Sequence, residues 1–105
     1  MSVSRQAKLS VSEASQPVLP RHVKLRFDES RQVWVMLAPE RVLAPDDIAV
    51  EVLQLCDGIR DVTAMIDQLS LKYAAPREAI GADVIAMLQD LADKGFLVEA
   101  KKVAP

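Results

Sequence analysis

The sequence predicts an α+β fold of the winged helix-turn-helix kind, an N-terminal three-stranded antiparallel sheet followed by a three-helix bundle. Two observations carry that expectation. Between residues 23 and 44 the apolar residues fall at alternate positions, the period of strands with one buried and one wet face. From Asp46 onward they recur every three to four positions, the period of helices. Length agrees: 105 residues, half of them hydrophobic and 27% charged, suffice for one small core.

The first segment, "MSVSRQAKLSVSEASQPVLP", is rich in serine and small polar residues and holds neither period for long, so residues 1–20 read as a flexible tail or linker ahead of a domain spanning 21–99. Val23, Leu25 and Phe27 alternate with Lys24, Arg26 and Asp28 as a first strand. "DESRQ" supplies turn chemistry, and Val33, Val35 and Leu37 resume the alternation, which makes a hairpin. Trp34 and Met36 fall on the opposite face from those three, with Trp34 expected in or half in the core. A third apolar run, Arg41, Val42, Leu43 and Ala44, follows Pro39 and stops at Pro45. No segment of the chain is left to cover its outer edge, and an open edge is a liability unless something else pairs there.

Asp46 or Asp47 can cap a first helix, whose apolar positions Ile48, Val52, Leu55 and Cys56 share a face that Val50 and Leu53 widen. It ends at Gly58, suited to the left-handed position after the last turn. A second helix starts near Asp61 with Val62, Met65, Ile66 and Leu69 at helical spacing. A third starts at Pro76 and carries Ile80, Val84, Met87, Leu88 and Leu91 down one stripe. In "LADKGFLVE", Gly95 follows Lys94 and Phe96 is placed to meet Leu91, the pattern of a Schellman cap. Leu97 and Val98 suit a short strand or a docked segment, and residues 100–105 read as frayed.

Charge bears on the commonest use of a winged helix, DNA binding. Residues 46–99 hold four basic and eleven acidic side chains, a net −7, and the helix that would enter a groove carries −2. Affinity for nucleic acid is dominated by neutralising phosphates, so this acidic surface opposes that function. Residues 1–45 carry seven basic and four acidic side chains, a net +3, which is compatible with docking an acidic peptide.

Catalytic and metal sites find no support. A lone Cys56 on an apolar stripe reads as a small buried hydrophobe, and a lone His22 has no partner at telling spacing. One cysteine and one histidine complete neither a disulfide framework nor a zinc site. Asp46 and Asp47 are explained by helix capping, and three glycines make no phosphate-cradling loop. No apolar run approaches the roughly 18 residues that cross a bilayer, and the N-terminus lacks a secretory signal pattern, so the chain reads as cytoplasmic.

"LRFDESRQVWVMLAPERVL", the acidic helix start, "VLQLCDG" and "LADKGFLVE" together resemble the PqqD family of pyrroloquinoline quinone (PQQ) biosynthesis over about residues 21–99. The resemblance implies a peptide chaperone without catalytic residues, metal or cofactor. Such a recognition element holds the leader part of a ribosomally made precursor, PqqA, and presents it to the radical S-adenosylmethionine enzyme PqqE, which joins a glutamate and a tyrosine of that peptide. It further implies a monomer that receives the leader as a strand beside Arg41, Val42, Leu43 and Ala44, against a helix surface drawn from Ile80, Asp83, Val84, Met87 and Leu88. Many family members place asparagine or serine with threonine or glutamate before the first helix, whereas this chain has Ala44-Pro45-Asp46-Asp47. Proline offers no N–H, so the pairing edge is expected to end at Ala44. Read from the residues alone, a DNA-binding winged helix and a purely structural subunit stay open as alternatives.

Overall fold

The computed structural model describes residues 9–100. The chain runs β1 (Pro17–Val18), β2 (Lys24–Asp28), β3 (Val33–Ala38), β4 (Arg41–Leu43), α1 (Asp47–Gln54), α2 (Val62–Tyr73), α3 (Arg77–Asp93) and β5 (Val98–Glu99). The α+β expectation holds: three helices follow an antiparallel sheet of order β2-β3-β4. A second, two-stranded sheet pairs β1 with β5: β5 matches the short strand expected near Val98, while β1 lies in the segment expected to be a tail.

The hairpin turn is built by Asp28, whose Oδ1 accepts hydrogen bonds from the Ser30 N–H, the Ser30 hydroxyl and the Arg31 N–H. The Ser30 hydroxyl is the chief reason that the Asp28 carboxyl sits below the usual carboxylate range. Register sets Leu25 opposite Met36 and Met36 opposite Leu43, so these three share the face that meets the helices. Met36 is fully buried, with Leu25, Ala38 and Leu43 packed around the same cluster. Trp34 is half-buried, as expected, and meets Phe27 edge-on with ring centroids 5.5 Å apart, but Phe27 remains exposed near the hairpin turn.

Each helix starts and stops for a local reason. Asp46 caps α1 by accepting the Ala49 N–H at 2.8 Å, and Asp61 caps α2 by accepting the Ala64 N–H at 2.9 Å. Pro76, expected as the first helical residue, is instead the extended N-cap of α3, and the helix starts one residue later at Arg77. At the other end of α3, the Phe96 N–H reaches the Leu91 carbonyl at 2.9 Å and the Gly95 N–H reaches the Ala92 carbonyl at 3.0 Å. With Gly95 at φ +86°, this is the complete Schellman closure. Val62, Met65, Ile66 and Leu69 of α2 and Val84, Leu88 and Leu91 of α3 form the core with Val52, Leu53, Phe96 and Leu97.

Further sequence expectations change. Ile48, placed on the buried face of the first helix, is 52% exposed, because Val50, Val52 and Leu53 carry that burial. Cys56 lies in the turn beyond α1 and not on it, although it is buried as expected. The expected domain boundary at Arg21 also differs from where packing starts. Within residues 9–20, Pro17 and Ser15 are buried, and the Ser15 carbonyl accepts the Val62 N–H at 2.9 Å. The Pro17 carbonyl accepts the Gly58 N–H at 3.0 Å, and the Gln89 carboxamide takes the Val11 N–H at 2.9 Å while donating to the Leu9 carbonyl at 2.7 Å. Periodicity could not reveal this segment, because it is held by single hydrogen bonds to distant groups and by a few scattered apolar contacts, from Leu9, Val11, Pro17 and Leu19, and not by a sustained apolar face. Residues 1–8 of the expected tail and 101–105 of the expected frayed end lie outside the described residues. Ala100 donates to the Gln16 carbonyl at 2.8 Å.

A chain shortened to begin at Arg21 is therefore expected to lose at least about 2 kcal/mol in urea unfolding, the scale of one buried apolar side chain. Unchanged stability would show that residues 9–20 add nothing to the core.

Candidate functional site

The turn between β3 and β4 has only two residues, Pro39 and Glu40, with Glu40 at φ +63°. In so short a hairpin the closing residues, Ala38 and Arg41, form the hydrogen-bonded pair. Alternation then makes Leu37 and Val42 the non-bonded pair, so the Val42 N–H and C=O point away from β3. Arg41 and Leu43 direct theirs inward. In the order β2-β3-β4 no described strand pairs with the outer side of β4. The outer side of β2 is likewise unpaired, but it presents Lys24 and Arg26, the charged side chains that discourage strand pairing.

Side-chain alternation sends Val42 outward, 67% exposed, and turns Arg41 and Leu43 toward the helical layer. A shallow notch beside β4 is lined by Glu40, Arg41, Val42, Leu43, Lys94 and Phe96. A second feature, an apolar groove of about 150 Å³, lies among the helices. Ile48, Glu51 and Val52 of α1, Leu69 and Tyr73 of α2, and Ile80, Asp83, Val84 and Met87 of α3 line it.

The structure thus brings together four of the five helical residues singled out in sequence. Leu88 is the exception: it is fully buried in the core and contributes to neither concavity. Its i+4 spacing from Val84 puts both on one stripe, but Leu88 lies wholly within the core cluster. Val84, 4% exposed, forms the groove's floor more than a free surface. The groove's α1 and α2 walls escape a reading of the sequence, because Ile48 has the spacing of a core residue and Tyr73 stands at the end of a helix. Ala44 lies just past β4, exposed, and lines neither concavity.

One ionic cluster stands at the groove. The Glu51 carboxylate accepts from the Lys72 ammonium and from the Tyr73 hydroxyl. The Lys72 contact, followed by that of Tyr73, holds the Glu51 carboxyl below its usual range, and the Glu51 carboxylate raises Lys72 and Tyr73 in turn. Asp83 adds a second carboxylate to the same otherwise apolar lining, where Glu51 is already neutralised by Lys72. Elsewhere, burial above all pushes the Cys56 thiol up to about 12, with the neighbouring Asp57 carboxylate adding to it. No group of three or more metal-ligating side chains gathers among the described residues, and none of their helices is long and apolar enough to cross a membrane.

An unpaired strand edge and an apolar groove offer main-chain pairing and side-chain burial, the means by which a binding module works. The comparisons with known proteins agree. Residues 33–97 match the family model of coenzyme PQQ synthesis protein D (PqqD). A protein of Rhodopseudomonas palustris (strain BisB5) named PqqA binding protein is 74% identical over 97 residues, which cover 92% of this chain and 95% of that one. A namesake from Bradyrhizobium diazoefficiens is 76% identical over 94 residues, 90% of this chain and 91% of its own. The solution structure of the PqqD truncation of Methylobacterium extorquens PqqCD, described as a functional, stand-alone recognition element for ribosomally synthesised and post-translationally modified peptides, superposes with a TM-score of 0.72 at 45% identity, covering 85% of this chain and 95% of that one. The chain belongs to the PqqD family.

Two outcomes are expected from the electrostatics. A carboxyl held low in the folded state stabilises above its unfolded pKa and loses that contribution as pH falls, so the Glu51 and Asp28 contacts are expected to weaken stability below about pH 4 in melts across pH. Lys72 is raised, so its side of the contact persists until strongly alkaline pH. Cys56, buried and pushed up, is expected to resist iodoacetamide at pH 8 in the native protein and to react once urea unfolds it. Rapid native alkylation would contradict the burial.

Proposed function

We propose that this chain binds the precursor peptide PqqA by adding the leader as a strand to the outer edge of β4, and delivers it to the radical S-adenosylmethionine enzyme PqqE without taking part in the chemistry. The observation that carries the reading is the outward-facing N–H and C=O of Val42 on an otherwise unpaired edge. Main-chain bonds there supply affinity that depends little on leader sequence. By the same alternation Ala44 offers a second outward pair, and Pro45, lacking an N–H, ends the edge. Side chains of the added strand that point to the helical layer meet the notch of Arg41, Leu43 and Phe96, and the apolar groove of Ile48, Ile80 and Met87 offers burial to a further apolar residue of the leader. Held by its leader, the core of the peptide gains effective concentration at the enzyme.

The arrangement amounts to a winged helix-turn-helix turned from nucleic acid to peptide. The helical part's net charge of −7 supports that choice over DNA binding. The names of the close relatives, PqqA binding protein, support the ligand. Delivery to PqqE rests on membership of the family.

Calorimetric titration of a synthetic PqqA peptide tests the proposal through two proline variants. Val42→Pro removes an outward N–H and is expected to leave a folded domain, by circular dichroism, with affinity lowered at least about tenfold, a lost hydrogen bond plus ring crowding. Leu43→Pro removes an inward N–H, breaks the ladder to Met36 and is expected to damage the fold. Two folded variants that bind like the parent would sink strand addition at β4. Raising salt to about 0.5 M is expected to weaken binding of the parent only modestly, since screening removes steering and leaves strand pairing intact.

A further inference from the structure

The Arg41 side chain does not stand free to meet a ligand. Its Nη2 donates to the Lys94 carbonyl at 2.8 Å, and its guanidinium carbon lies 4.5 Å from the centroid of the Phe96 ring. Between those two residues is Gly95, where an added Cβ would come within 3.6 Å of the same Nη2. One side chain of β4 therefore grips the three residues that close α3: the last carbonyl before the glycine, the glycine itself, and the aromatic ring that the cap drives into the core. Among the described residues this is the hydrogen bond that joins β4 to the helical layer.

We propose that Arg41 is a positioning residue that fastens β4 to the C-terminal cap of α3 and so keeps the open strand edge extended and ready to pair. β4 needs such a fastening. It has only three residues, comes after a turn that forces Glu40 to positive φ, and is bonded to the sheet on one side alone. A strand of that kind frays, and a frayed edge must be ordered again when a peptide arrives, which lowers affinity without removing any contact to it. A guanidinium suits this role, because its planar fork stacks on an aromatic face while one N–H reaches a helix-end carbonyl. The Phe96 ring is 1% exposed, so the anchor beneath the guanidinium is itself fixed.

The inference rests on the strand-addition reading, and the experiment separates the two. Amide exchange of Val42 and Leu43 is followed by NMR in the parent and in Arg41→Met, which keeps the aliphatic stem, and each is titrated with a synthetic PqqA peptide at low salt and at about 0.5 M NaCl. The parent's Val42 amide must become protected by the peptide; if it does not, the strand-addition reading fails whatever Arg41 does. Given that protection, Arg41→Met is expected to melt near the parent temperature, to exchange its Leu43 amide at least about tenfold faster in the free state, and to bind several-fold more weakly at both salt concentrations. Phe96→Leu in the same background is expected to add little further loss, because both changes remove one contact. Affinity equal to the parent's, or a loss that vanishes at the higher salt, overturns the inference and leaves Arg41 as a steering charge only.

Discussion

The closure of α3 at Gly95 is the constraint on which most of the molecule depends. A positive φ at that residue turns the chain back on the helix, so that Phe96 and Leu97 enter the core instead of continuing into solvent. The next two residues, Val98 and Glu99, can then run antiparallel to β1, and Val18 in turn bridges to Asp57 beyond α1. The same turn presents the Lys94 carbonyl and the Phe96 ring side by side, where Arg41 meets them. A residue with a side chain at Gly95 would strain the backbone, and the effects would reach the core, the small sheet and β4 together.

Much of this was legible because it is written in local chemistry. Asp46, Asp61 and Gly95 mark helix ends by what their side chains or dihedrals permit, and each does so in the structure, whereas α1 closes at Leu55 and Gly58, expected at its end, takes its positive φ three residues further on. The two-residue period over residues 23–43 gave the sheet and its antiparallel order, and the stripe of α2 gave four buried residues without error. What escaped was whatever depends on contacts between distant parts. Ser15 and Gln89 recognise main-chain groups far away in sequence, a signal with no period. Ile48 is apolar at a core-like spacing, yet only packing decides that Val50, Val52 and Leu53 fill the space first.

The candidate site divides along the same line. That β4 would have an open edge came from counting strands. Which of its amides faces out required the register, fixed by a two-residue turn whose pairing the sequence leaves open. Leu88 and Met87 are neighbours in one apolar stripe, and a rotation of about 100° per residue separates a core position from a groove wall. Arg41 reads in the sequence as a surface charge available to a ligand, whereas its fork is committed to the end of a helix.

The pairing of β1 with β5 sets Pro17 beside Glu99, while the residues before Pro17 run on to Gln89 of α3. An early and a late segment of the chain thus share one small ribbon. The open edge belongs to the other sheet. The ribbon that gathers the early and late segments and the edge that would take a guest strand therefore work independently, and ordering one leaves the hydrogen bonds of the other untouched.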